Sequence, residues 1–173
     1  DGKLTALKRV KLQKHSGDVP VPALREIHYL SRLCHPNIVK LYGVAVGESS
    51  EKVFTILEHV EFDLSELIAC TPEVFTEAFI KCVAHHTCRA LQFLHETALL
   101  VHRDVKPSNM LCTSEGIVKL CDFGLAVPTD GGEYAPHGGS RWYRSPETLL
   151  GSTTYTPAAD MWAVGCVVLE VLG

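Results

Sequence analysis

The sequence predicts an α+β fold in which a small β-rich part precedes a larger helical part. The run "LTALKRVKL" alternates as a strand does. Two further β-rich runs, "IVKLYGVAVG" and "KVFTILEHV", are separated by the turn-like "GESSE", which predicts an antiparallel pair. From Asp63 onward the spacing of the apolar residues becomes helical. We therefore place the join near residues 58–63 and expect two parts, 1–60 and 61–173.

The remaining elements follow from the same patterns. "VPALREIHYLSRL" has apolar residues at helical spacing, and "EAFIKCVAHHTCRALQFLHE" predicts one long amphipathic helix. "GIVKLCDFG" predicts one more short strand, after which a glycine-rich loop leads into the basic and aromatic "SRWYRSPE". Segment 157–173 is predicted to be a buried helix, because its apolar run is too short to span a bilayer and contains Glu170.

Composition excludes several classes of function. A net charge of −4 gives no electrostatic basis for binding nucleic acid or a membrane. Seven cysteines without a CxxC pair predict reduced thiols, so we expect the cytoplasm and/or the nucleus. The chain begins without methionine and ends inside an apolar helical pattern, so both ends look cut.

One cluster of metal-ligating residue types occurs in "CVAHHTC". Its members are Cys82, His85, His86 and Cys88. Soft ligands at this spacing can hold zinc, but structural zinc sites usually draw ligands from a turn as well as a helix. Because the flanking residues predict one continuous helix, we favour an ordinary amphipathic helix here.

The stretch "VHRDVKPSNMLCTSEGIVKLCDFG" contains the candidate catalytic and metal-ligating residues. Asp104 is followed by Lys106 and Asn109, and Asp122 comes thirteen residues after Asn109. Phosphoryl transfer needs a carboxylate that orients the attacking hydroxyl and metal ligands that neutralise the triphosphate. Asp104 suits the first role, and the hard oxygen ligands of Asn109 and Asp122 suit the second. The ordered combination at this separation is a strong signal.

With these motifs the whole chain resembles the eukaryotic protein kinases. "TALKRV" resembles the third-strand lysine motif, so the resemblance assigns Lys8 to the α- and β-phosphates of ATP. Glu26, in "PALRE", stands where the family has the ion-pair partner of that lysine. Lys106, two residues after Asp104, resembles the serine/threonine class. The resemblance implies a two-lobed kinase fold, incomplete here, which lacks the first strands of the N-lobe and is truncated in the C-lobe at the last predicted helix.

The same resemblance assigns residues to the nucleotide site and to the hydrophobic core. It implies that Asp160 anchors the backbone of the catalytic loop, and that a hydrophobic spine consists of Leu30, Leu41, His102 and Phe123. It implies Leu57 as gatekeeper, with backbone hydrogen bonds to adenine from Glu58 and Val60, a ribose contact from Asp63 and a floor made by Leu111. Asn109 and Asp122 would hold Mg²⁺. Cys121 would face the ATP site and could react with electrophiles there, although it could equally be a small buried hydrophobe.

Within the kinases, "GDVPVPALREI" resembles the cyclin-binding helix of cyclin-dependent kinases of the PITSLRE type. The residue Pro22 departs from that helix pattern. "WYRSPE" ends the activation segment by the same resemblance, and its Arg144 is similar to the arginine that accompanies proline-directed specificity. Counting back from Glu147 places Gly139 at the position that adopts an unusual backbone geometry in cyclin-dependent kinases, where glycine reaches positive φ without the steric cost of a side chain. Ser140 is expected to hydrogen-bond near Asp104.

The activation segment differs from that of cyclin-dependent and mitogen-activated kinases at the positions that carry phosphate there. Counting back from Glu147, the positions that carry phosphate in cyclin-dependent and mitogen-activated kinases are Ala135 and His137. Arg25 and Arg103 occupy two positions of the basic phosphate cradle, but the third is Val127. We therefore expect that no phosphate at those two positions orders the loop, with partner binding as the preferred trigger. Thr129 and Tyr134 remain as alternative phosphate acceptors, although they are misplaced, and Glu133 remains as a fixed negative charge for the two arginines.

The sequence thus predicts ATP- and Mg²⁺-dependent phosphorylation of protein Ser/Thr, proline-directed and cyclin-regulated. A pseudokinase or scaffold is the alternative, as is an inactive partial fragment of such a kinase with exposed apolar surface.

Overall fold

The computed structural model describes residues 2, 4–13, 18–47, 52–70, 75–134 and 140–173. The predictions made for Ala135, His137 and Gly139 lie outside these residues. Across the described ranges, no helix is long and apolar enough to cross a membrane.

The predicted β-rich part forms one antiparallel sheet. It consists of β1 (Thr5–Val10), β2 (Leu41–Val46) and β3 (Val53–Glu58) in the order β1-β3-β2. The predicted pairing of β2 with β3 is confirmed, with an irregularity between Leu41 and Gly43. Lys8 of β1 lies opposite Thr55 of β3, whose hydroxyl donates to the Lys8 carbonyl.

Helix α1 (Val21–Leu30) lies between β1 and β2 in the chain and turns Glu26 and Leu30 inward. Two prolines mark the start of this helix. Pro20 precedes it, and Pro22 is tolerated in the first turn because backbone amides there have no hydrogen-bond partner within the helix. The helix is shorter than its sequence pattern: it ends at Leu30, and Leu33 is buried after the helix.

The predicted long helix is confirmed as α3 (Glu77–Gln92), which follows α2 (Leu64–Cys70). Thr76 caps α3 by accepting a hydrogen bond from the Phe79 amide. The helix continues into a π-helical turn, Phe93–Thr97, closed by a 3.0 Å bond from the Ala98 amide to the Phe93 carbonyl. Such turns are rare and often occur next to functional sites.

Short strands surround the loop that carries Asp104. The predicted strand in "GIVKLCDFG" is confirmed as β7 (Val118–Leu120). It pairs with β6 (Met110–Cys112), which pairs with β4 (Phe62–Asp63), while β5 (Leu100–Val101) pairs with β8 (Val127–Pro128). The pattern did not predict β4, β5, β6 or β8, because two or three residues are too few to show a period.

The last helices are α4 (Pro146–Leu149) and α5 (Pro157–Leu172). The prediction that α5 is buried is only half right: Asp160, Val167 and Val171 are buried, but Trp162 and Leu169 are 48% and 68% exposed. The main core joins α5 to α1, α3 and Phe123 in one cluster. Because this cluster includes residues from both predicted parts, the boundary at residue 60 stays a prediction.

Candidate active site

Asp104 collects hydrogen bonds from three directions. Its Oδ2 atom accepts from Lys106 Nζ at 2.7 Å and from Asn109 Nδ2 at 2.9 Å, and its Oδ1 atom accepts from the Ser140 amide at 3.2 Å. Lys106 Nζ also lies 3.3 Å from Ser140 Oγ. The predicted hydrogen bonding of Ser140 near Asp104 is therefore confirmed. The carboxylate is almost completely buried, at 8% exposure, and its orientation is fixed by its neighbours.

Asp160 of α5 holds the backbone that carries Asp104. Its two carboxylate oxygens accept from the His102 and Arg103 amides, each at 2.8 Å, and Oδ2 also lies 2.8 Å from His95 Nε2. Arg103 has φ +70°, an unfavourable conformation that the two bonds to Asp160 stabilise. The predicted anchoring by Asp160 is confirmed, whereas the sequence pattern did not single out His95.

Lys8 and Glu26 form a two-pronged ion pair between β1 and α1. Lys8 Nζ lies 2.8 Å from both Glu26 oxygens and 3.8 Å from Asp122 Oδ1. Burial raises the pKa of Glu26, and the hydrogen bond and charge of Lys8 oppose that rise. Burial lowers the pKa of Lys8, but the hydrogen bond to Glu26 and the negative charges of Glu26 and Asp122 together outweigh it, so the net pKa is raised. This ion pair holds the Lys8 side chain of β1 against α1.

Asn109 and Asp122 fit the role of magnesium ligands by their chemistry. Both hydrogens of the Asn109 amide point to Asp104, on its carbonyl and on Oδ2, which leaves the amide oxygen as a ligand atom. The Cys121 amide donates to the Asn109 carbonyl at 2.9 Å and so brings Asp122 next to this loop. No three His, Cys, Asp or Glu side chains in the described ranges group as metal ligands. Mg²⁺ commonly combines one or two protein oxygens with substrate phosphates and waters.

The predicted spine residues are assembled in the core. Leu30, His102 and Phe123 are buried, and Leu41 packs against the cluster that contains Leu30 and Phe123. The rings of His102 and Phe123 meet edge to face at 4.9 Å. Complete burial of Phe123 stabilises this arrangement by about 1.5–3 kcal/mol.

The residues assigned to the adenine site lie along β3 and the segment after it. The Glu58 amide donates to the Lys40 carbonyl at 2.8 Å, so this backbone donor is already engaged within the protein. Leu57 lies on β3, and Val60 follows it half-buried. Asp63 lies opposite Leu111 in the β4–β6 pair, and its Oδ1 caps α2 by accepting from the amide and hydroxyl of Ser65.

The free cysteines give little support for reactivity or metal binding at the predicted positions. Burial raises the pKa of Cys121 to about 12, so the thiol is protonated at neutral pH. His86 is engaged in structure, because its Nδ1 atom accepts from the Val118 amide at 3.2 Å. The segment "CVAHHTC" lies inside the continuous helix α3, as the ordinary-helix interpretation predicts.

The activation segment is attached to both ends of this site. Arg25 donates to the Gly124 carbonyl at 3.2 Å, and Val127 is buried in β8. At the other end, Arg144 is half-buried after the turn Arg141–Tyr143, and Glu147 is exposed in the first turn of α4.

The pattern did not single out Lys119, whose Nζ atom lies 3.1 Å from Glu58 Oε1 and 2.8 Å from the Pro36 carbonyl. It also did not single out buried Asn37, which donates to the Val118 carbonyl. No local signal identifies either residue, because a lysine and an asparagine with distant partners resemble ordinary surface residues.

The fold and the arrangement of residues around Asp104 are those of a protein kinase, and comparison with known proteins gives the same class. A model of the protein kinase domain matches residues 1–173. The chain therefore belongs to the protein kinase family.

Its relatives are cyclin-dependent kinases, which confirms the predicted resemblance. It is 45% identical to cyclin-dependent kinase 10 of Rattus norvegicus, over 98% of this chain and 48% of the relative. It is 38% identical to cyclin-dependent kinase 11A of Homo sapiens, over 98% of this chain and 22% of the relative. The crystal structure of the yeast RNA Pol II CTD kinase CTDK-1 complex matches with a TM-score of 0.86 at 34% identity, over 98% of this chain and 54% of that one. The chain spans about half the length of the first of these relatives.

Proposed function

We propose that the protein transfers the γ-phosphoryl group of ATP to serine or threonine hydroxyls of proteins, as a kinase of the cyclin-dependent type. The observation that carries this proposal is the set of contacts at Asp104, where Lys106, Asn109 and the Ser140 amide meet one carboxylate. The relatives, all named cyclin-dependent kinases, support the same activity.

Asp104 is the group that would orient the attacking hydroxyl and accept its proton. One of its oxygens already accepts two donors, whereas Oδ1 accepts the Ser140 amide alone and has a lone pair left for a substrate hydroxyl. Lys106 holds positive charge 2.7 Å from the carboxylate, next to where the transferred group would lie. Positioning and charge stabilisation of this kind supply most of the catalysis in phosphoryl transfer.

ATP, when bound with Mg²⁺, supplies the phosphoryl group and the metal charge that neutralises it. Lys8, held by Glu26, would contact its phosphates, and Asn109 and Asp122 would hold the metal. Leu57, Glu58, Val60, Asp63 and Leu111 would surround the nucleoside. These roles rest on the kinase resemblance, and the contacts of Lys8 with Glu26 and Asp122 support the part that concerns the phosphates.

The test is phosphoryl transfer by the full-length protein from radiolabelled ATP to paired peptides that differ only in Ser-Pro against Ser-Ala. We expect transfer, with Ser-Pro preferred, because Arg144 and Gly139 match the proline-directed pattern. Asp104→Asn should lower kcat by about 10²–10⁴-fold and leave ATP binding intact. If the wild type binds ATP without transfer, the pseudokinase or scaffold alternative is correct; equal use of both peptides would refute proline direction.

We also propose that a cyclin or cyclin-like protein activates this kinase by docking on α1. Val21 and Leu24 are 60% and 52% exposed, and both lie on the side of α1 away from Glu26 and Leu30. A partner that covers them would stabilise the helix that carries Glu26, and thereby the ion pair with Lys8. Pro22 packs close to Gly124, so the same helix end also reaches the activation segment.

Co-purification of the full-length protein with its partner tests this docking. Val21→Asp with Leu24→Asp should remove both the partner and the activity. Leu150→Asp is the matched control, because Leu150 is 89% exposed on another surface. Retention of the partner by the double variant would place the docking surface elsewhere. The cytoplasm and/or the nucleus remains our proposal for the compartment, on the basis of the reduced cysteines.

A further inference from the structure

We infer that the activation segment holds the loop of Asp104 through an aromatic clamp, in which Tyr134 and Tyr155 engage the guanidinium of Arg103. The guanidinium carbon lies 3.8 Å from the centre of the Tyr155 ring and 5.8 Å from the centre of the Tyr134 ring. Both distances are within the range of cation–π attraction. The inference rests on the proposed kinase activity and concerns how its activation segment is ordered.

Tyr155 provides the fixed side of the clamp. It is 6% exposed and forms a small core with Val101 of β5 and Val127 of β8. Arg103 is the second residue after β5, and its side chain lies beside this core. A planar guanidinium suits such a site, because it is weakly hydrated and stacks on aromatic faces.

Tyr134 provides the side that belongs to the activation segment. Its ring packs against the same small core, and its hydroxyl donates to Asp130 Oδ1 at 3.1 Å. Its amide donates to the Thr153 carbonyl at 2.9 Å, next to an antiparallel bridge between Glu133 and Thr154. Three contacts of Tyr134 itself, with the bridge at its neighbour Glu133, therefore hold Tyr134 where it meets Arg103.

The clamp affects the position of Asp104 because Arg103 is its neighbour in the chain. Arg103 immediately precedes Asp104 and has φ +70°, so fixing its side chain restricts a conformation that is otherwise unfavourable. The activation segment also reaches Asp104 from its other side, through the Ser140 amide. Aromatic rings on Arg103 thus supply an attraction that orders the segment without a phosphate. Tyr134 and Tyr155 are positioning residues.

The test uses the full-length protein with whatever partner co-purifies, and three variants. Tyr134→Leu removes the ring, Tyr134→Phe keeps the ring without the hydroxyl, and Tyr42→Leu removes a cation–π contact of similar length, 5.7 Å from Lys40, outside the site. Loss of the clamp should lower kcat by about five- to thirty-fold, with the KM for ATP unchanged. Tyr134→Phe and Tyr42→Leu should stay within about two-fold of the wild type.

Two further measurements separate this inference from the proposed function. Amide hydrogen exchange of residues 130–134 should be faster in Tyr134→Leu than in Tyr134→Phe, whether or not the protein transfers phosphate. Phosphatase treatment of the wild type should leave kcat unchanged. Equal exchange in the two variants, full activity of Tyr134→Leu, or loss of wild-type activity on dephosphorylation would each overturn the clamp. An inactive wild type with the expected exchange difference would overturn the kinase activity alone.

Discussion

Lys119 and Glu58 form an ion pair of 3.1 Å that joins the strand leading into Asp122 to the end of the first sheet. The side chains are 12% and 24% exposed, so solvent screens the pair only in part. Lys119 also donates to the Pro36 carbonyl, and Glu58 Oε2 accepts from the Lys40 amide at 3.2 Å. One lysine thus links β7, the end of β3 and the segment between α1 and β2.

Lys119→Met should lower the free energy of unfolding by about 1–3 kcal/mol, because it removes charged hydrogen bonds from partly buried partners. Urea unfolding of the full-length protein measures the change. The matched control is Lys81→Met, which breaks an exposed pair with Glu77 at 72% and 81% exposure and should cost less than about 0.5 kcal/mol. Equal effects of the two substitutions would mean that the Lys119 pair is no stronger than a surface pair.

The pair of Lys8 with Glu26 predicts a pH dependence. Because burial raises the pKa of Glu26 above its ordinary value of 4.5, the folded protein keeps this proton to a higher pH than the unfolded chain does. Its contribution to stability therefore falls as pH rises from about 4.5 through the folded pKa. Lys8→Met removes the charge that opposes the raised pKa, so it should extend this fall toward neutral pH.

Unfolding of the full-length protein at a series of pH values between about 5 and 8 measures this effect. The Lys8→Met variant should lose stability more steeply with rising pH than the wild type. Adding Glu26→Gln should remove the extra slope, because no ionisable group is then left in the pair. If Lys8→Met and the wild type show parallel curves, Glu26 is not the group that Lys8 keeps charged.

The sequence predicted the site better than it predicted the connections around it. Asp104, Lys106 and Asn109 lie within six residues, so their convergence follows from a local motif. Lys8 with Glu26 needed the family resemblance, because eighteen residues and a tertiary contact separate them. Lys119 with Glu58, and Arg103 with Tyr134 and Tyr155, carry no local pattern at all. The exposed face of α5 was missed because an apolar run does not say which of its sides is covered.

Asp160→Asn tests whether the catalytic loop depends on its anchor. One of the two backbone amides of His102 and Arg103 then faces an amide group that cannot accept a hydrogen bond. We expect a loss of about 1–3 kcal/mol in the free energy of unfolding. Displacement of Asp104 should also lower kcat by about 10²-fold. Glu115→Gln, in an exposed turn, is the control for the change of charge. Unchanged kcat would show that Asp104 keeps its position without Asp160.

Cys121 should react slowly with electrophiles, although it immediately precedes Asp122. Its pKa is raised to about 12 from an ordinary value of 9.0, chiefly by burial, and the charge of Asp122 adds to the effect. At neutral pH the thiolate is therefore about 10³-fold rarer than at an ordinary cysteine. Cys34 and Cys70 are exposed and serve as internal standards in the same molecule.

Timed labelling of the full-length protein with iodoacetamide, read peptide by peptide, compares the three thiols. Cys121 should be labelled about 10²–10³-fold more slowly than the exposed pair, since a more basic thiolate is also more nucleophilic and recovers part of the difference. Its rate should keep rising with pH above the ordinary cysteine pKa of 9.0, because its own pKa is raised to about 12. Cys121→Ser identifies the peptide. Labelling of Cys121 as fast as Cys34 would restore the hypothesis of a reactive thiol at the ATP site, because burial would then not be suppressing the thiolate.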